Sequence, residues 1–235
     1  MKKLILSLFA FGIISAGISQ AVSDRTTVPI AVNLNQVLRL NILNGGNIEF
    51  TFNTISQYES GINSAGGTVG SFAGGVGGVP VGGAGGFYQT QFTVASSNNW
   101  EIHMGAEDAT LIGTDNAGNT LALNNIGYDL TATGNHVFSA GVGGVAGEVL
   151  ISSPTANGAN IVPLTQFPGA AALVDYDPAS AANEGNAGNI ADNAITIRWR
   201  VGTAEGTMNQ VALINQDVTA DRYVTNVLFD LQLDQ

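Results

Sequence analysis

The sequence predicts an all-β chain, an antiparallel β-sandwich with long Gly- and Asn-rich loops. Three observations carry that prediction. Apolar residues recur at every second position in segment after segment, the period of a strand with one face buried. Clusters of Gly, Asn, Asp, Ser and Pro separate those segments, and these are the residues that turns demand. Helical periodicity is nearly absent; only Ala204 to Leu213 invites a short helix.

The elements follow in order. Met1 to Ala21 reads as a secretory signal peptide, removed on export. Lys2 and Lys3 form its charged start, Leu4 to Ile18 its apolar stretch, and Ser19-Gln20-Ala21 a small-residue cleavage site. Thr27 to Leu34 then alternates, with Val28, Ile30, Val32 and Leu34 on one face. Val37 to Leu43 is a second apolar run. Asn44-Gly45-Gly46-Asn47 predicts a tight hairpin into a strand at Ile48 to Phe52, because Gly and Asn tolerate positive φ. Residues 61–86 contain 12 glycines without the strict period of collagen, and read as a long loop or an assembly segment.

Strand signals resume at Phe87 to Val94. Ser96 to Asn99 turns the chain into Trp100 to Met104, with Trp100, Ile102 and Met104 inward. Short apolar pieces between Leu111 and Leu123 flank an Asp/Asn/Gly turn at residues 114–119. Ile126 to Leu130, His136 to Phe138 and Glu148 to Ile151 are further candidates. Leu164 to Phe167 and Ala172 to Val174 are brief ones within an Ala/Asn/Gly/Pro-rich stretch. Ala194 to Val201 alternates over its whole length; Ile195, Ile197, Trp199 and Val201 are expected inside, and Thr196, Arg198 and Arg200 facing water or a partner. Tyr223 to Leu233 places Val227, Phe229, Leu231 and Leu233 on one face. The predicted organisation is a cleaved signal at residues 1–21, an extended strand at 22–35, and one sandwich domain at 36–235.

Composition bounds the function. Loss of Lys2 and Lys3 with the signal takes the net charge from −11 to −13. The remaining basic residues are Arg25, Arg39, Arg198, Arg200 and Arg222. So acidic a surface excludes nucleic acid as a natural partner, since binding it needs cations to neutralise phosphates. It also repels anionic lipid headgroups. With no cysteine, neither a disulfide nor a lipidated cysteine anchor is available. No membrane span is expected after the signal.

No catalytic motif stands out, and the chain is not expected to be an enzyme or to bind a cofactor. His103 and His136 lack the close-spaced partners of a zinc site. The Asp115 to Asn119 segment, Asp175 to Asp177 and Glu184 to Asp192 offer oxygen ligands for calcium, but without the EF-hand pattern; turn chemistry accounts for the same residues. Trp100 and Trp199 fall on apolar faces and read as core rather than a sugar platform. Tyr58, Tyr88, Tyr176 and Tyr223 remain as contact residues for a glycan or another cell-surface ligand.

The export signal, the cysteine-free and glycine-rich β pattern, and the alternating strands at Thr27–Leu34 and Tyr223–Leu233 together resemble bacterial surface filament subunits of the donor-strand-complementation type. The resemblance is one of architecture. It implies a secreted homopolymer in which Val28, Ile30, Val32 and Leu34 anchor a strand in the sheet of the next copy. Pairing of that strand within its own subunit stays open, as does a monomeric surface adhesin or coat domain that binds glycan or calcium.

Overall fold

The computed structural model describes residues 29–64, 88–132, 161–169, 172–176 and 185–234. The predicted signal, Val28, His136 to Phe138, Glu148 to Ile151 and nearly all of the Gly-rich segment lie outside these. The chain divides into two units, residues 1–34 and 35–235. In the first, Pro29 to Leu34 carries no strand assignment, and the side chains of Ile30, Val32 and Leu34 are exposed. Among the described residues, no helix is long and apolar enough to cross a membrane.

The second unit is all-β and antiparallel. The strands are β1 (Leu38–Asn44), β2 (Gln89–Ser96), β3 (Trp100–Ala106), β4 (Thr110–Gly113), β5 (Thr120–Ala122), β6 (Ile126–Ala132), β7 (Val162–Pro163), β8 (Ala194–Val201), β9 (Tyr223–Val224) and β10 (Val227–Leu233). One sheet has the order β1-β2-β8-β6-β7. The facing layer is made of the β10-β3 pair and the β5-β4-β9 sheet. The core fills the space between: Phe92, Ile195, Ile197 and Trp199 come from the first sheet, and Trp100, Ile102 and Leu111 from the other layer. Phe92 of β2 meets Phe229 of β10 across it, with ring centroids 6.0 Å apart. Both tryptophans are core, and each indole N–H is satisfied, Trp100 by the Asn186 carbonyl and Trp199 by Thr90 Oγ1.

Several expectations need correction. The Asn44 to Asn47 turn does not close a hairpin. Gly45 turns at φ +71°, but β1 pairs with β2 instead. A Cβ on Gly45 would fall 1.8 Å from the Gln89 carbonyl oxygen, so the glycine is where β2's start presses against the end of β1. Ile48 to Phe52 keeps its alternation, with Ile48, Phe50 and Phe52 half-buried, yet it belongs to no sheet.

The turn at Ser96 to Asn99 joins strands of different layers, because β3 takes β10 as its partner. Ala204 to Ala212 forms turns and irregular backbone rather than a helix, and Leu213 opens a single 3-10 turn, Leu213–Asn215. The one α-helix among the described residues is α1 (Ile55–Ser60), fixed by a capping box in which Thr54 accepts from the Gln57 backbone and the Gln57 side chain accepts from the Thr54 backbone.

Arg200 does not face water. It is fully buried. β8 lies in the middle of its sheet, and the loop after it folds back over the outer face. Met208 Sδ sits 2.4 Å from where a Cβ on Gly127 would be, and Glu205 on the same loop reaches Arg200 at 2.8 Å. Thr196 is buried on that face too.

Candidate functional site

The second unit opens in a cleft of about 900 Å³. One wall is the stretch from Gly45 to Phe52. The other runs from Val218 through β9 to Val227 and Phe229 of β10. Leu111, Leu121, Ile126, Leu164, Trp199 and Leu213 form the floor, so the cleft reaches the hydrophobic core itself.

The first wall alternates in burial like a strand but has no ladder. From Gly46 to Phe52 no backbone N–H or C=O has a protein partner among the described residues. The segment is held at both ends and by its side chains. At its start, the Trp199 indole donates to Thr90 Oγ1, which donates to the Gly45 carbonyl at 2.7 Å. At its end, Asn53 N–H donates to Gln57 Oε1 at 2.7 Å, extending the α1 cap. Between these, Phe50 stacks on Tyr88 with centroids 4.0 Å apart, and Phe52 leans on Tyr58 at 5.1 Å. Burial raises the Tyr88 phenol above its ordinary pKa.

Charge is confined to the rim. Glu49 and Arg222 bridge the two walls, with Nε to Oε1 at 2.9 Å and both side chains more than half exposed. Next to them, Asp221 organises the predicted calcium-like turn. Its carboxylate accepts from the Asp115 and Asn116 backbone and from the Asn119 amide, and Gly113 leaves the room for it to do so. The Asp115 N–H, followed by the Asn119 amide, holds the Asp221 pKa down to about 2. That turn is therefore satisfied by its own hydrogen bonds. Among the described residues, no group of three or more His, Asp or Glu side chains is placed to hold a metal. His103 lies 3.7 Å from Glu101 on the outer face of β3.

Of the residues predicted to join subunits, Ile30, Val32 and Leu34 are 86%, 75% and 90% exposed, and Val28 lies outside the described residues. Tyr58 and Tyr223, proposed as contact residues, both line the cleft, whereas Tyr88 braces its wall from Phe50. The cleft itself escaped the sequence. Its signal was the Ile48-Phe50-Phe52 alternation, which marks a buried face but not the missing ladder. The chain matches no protein-family model and no curated protein.

Proposed function

We propose that the chain is a structural subunit of an extracellular filament or surface appendage, assembled without covalent bonds by strand complementation between copies. One observation carries the reading. Ile30, Val32 and Leu34 expose three large apolar side chains to solvent, at the two-residue spacing that a strand would put on one face. Exposed apolar groups in such an array mark an interaction site. Burying the four residues Val28, Ile30, Val32 and Leu34 contributes on the order of 6–12 kcal/mol before ordering costs, enough for a durable junction. A head-to-tail contact of this kind does not close, and so builds a fibre. In this reading export by the N-terminal signal supplies the compartment, and the chain performs no catalysis.

Electron microscopy of the exported protein tests it. Filaments are expected from the whole chain and only single particles after deletion of residues 22–35. Normal filaments from the deleted form overturn the proposal.

A further inference from the structure

We infer that the cleft between Gly46–Phe52 and Val218–Phe229 accepts the Pro29–Leu34 strand of a second copy; the inference rests on the filament reading above. Backbone donors and acceptors that belong to no ladder are open to an added strand. Those of Gly46 to Phe52 find no protein partner among the described residues, while the side chains on one side already point into an apolar hollow. The wall thus offers both halves of strand addition: main-chain hydrogen bonds along an edge, and pockets for alternate side chains.

The occupant is argued from two matches. Residues 26–38 carry no charge, which suits a floor built from Leu111, Ile126 and Trp199, with Glu49, Asp221 and Arg222 kept to the rim. The donor's period-two apolar face meets an acceptor of the same period. Among the described residues the outer edges of β1 and β10 offer unpaired backbone as well, but at this cleft unpaired backbone adjoins a hollow into the core.

The test uses assembled filaments of the full chain. Val32 is replaced by photoreactive benzoylphenylalanine, the protein is co-assembled with isotopically heavy unmodified copies, and irradiated products are mapped by mass spectrometry. Links from position 32 to residues 46–58 or 218–229 of a heavy copy are expected. A second preparation carries the probe at the exposed Thr51, where links to residues 28–36 of a heavy copy are expected; it covers the case in which the first does not assemble. Links from position 32 to residues 38–41 or 230–234 in intact filaments overturn the cleft and leave the filament reading standing. Links confined to one copy overturn both. A small apolar molecule released from the purified protein in native mass spectrometry, with no link to the cleft in either preparation, assigns the cleft to a ligand and overturns the inference.

Discussion

Arg200 and Asp129 lie 3.2 Å apart with neither side chain exposed. They sit on the adjacent strands β8 and β6, two residues off register, since Asp129 stands directly opposite Arg198. Arg198 grips the same carboxylate from the open side, with Nε 2.7 Å from Oδ1. A carboxylate between two guanidiniums is tolerated in a sheet interior only because each charge has a partner. Asp129→Ala removes the central one and leaves Arg200 buried without that counter-charge. We expect a loss of about 3–5 kcal/mol, the usual cost of breaking a buried pair from one side. Urea denaturation should read it as a fall in midpoint. Arg198→Ala, at the partly exposed end, should cost clearly less.

Gly45 makes a sharper backbone prediction. Its φ of +71° suits glycine, and an added Cβ would fall 1.8 Å from the Gln89 carbonyl oxygen. Neither a rotamer change nor a small shift relieves a clash with backbone. Gly45→Ala should therefore destabilise by at least about 1–3 kcal/mol. Gly46 is the control: nothing lies within 4 Å of its added Cβ. Gly46→Ala should stay within about 0.5 kcal/mol of the parent. Equal effects in thermal or chemical denaturation would contradict the assigned turn.

The contrast between these two glycines shows how far the sequence could be read. Asn44-Gly45-Gly46-Asn47 announces a turn, and a turn is there. Turn chemistry is local, however, and says nothing about which strand pairs with which. β1 found its partner in β2, across the Gly-rich segment. β8 was legible to the residue, because eight alternating positions leave no other period. The fate of Arg200 was not, because alternation assumes one wet face, and the Glu205–Met208 loop dries the second. Helix α1 could have been found from Thr54 and Gln57, the two ends of a capping box three residues apart. The cleft could not have been. It needs Gly46–Phe52 and Val218–Phe229 to meet, and nothing local encodes that meeting.

Asp221 gives the pH dependence. Its folded pKa is held near 2, against an ordinary 3.8, by the Asp115 N–H first and then by the Asn119 amide. A depressed carboxylate pKa stabilises the fold above the unfolded value and loses that contribution as pH falls through the folded one. The window thus runs from about pH 4 down to about pH 2. Stability followed by urea denaturation should drop across that window in the parent. In Asp221→Asn the drop should be shallower, with lower stability at pH 6, because the neutral amide is a poorer acceptor for the Asp115, Asn116 and Arg222 N–H groups and the Asn119 amide. An unchanged acid slope would remove Asp221 as its source.

Val32 separates assembly from folding. It is 75% exposed, so a polar group there disturbs no packing in the single subunit. Val32→Asp should leave the denaturation midpoint of the unassembled protein within about 0.5 kcal/mol of the parent. In the proposed junction the same residue enters an apolar hollow, where an isolated carboxylate is costly to desolvate. Filament yield should fall by at least tenfold, which corresponds to about 1.4 kcal/mol per junction, less than one lost Val burial plus the charge penalty. Asn33→Asp tests the register beside it. In the proposed junction Asn33 falls on the opposite face of the added strand, so a charge there should reduce assembly much less than the charge at Val32. Sedimentation of filaments from both variants, compared at equal protein concentration, checks the pair. Equal loss at the two positions would mean that net charge, rather than an alternating apolar face, controls the junction.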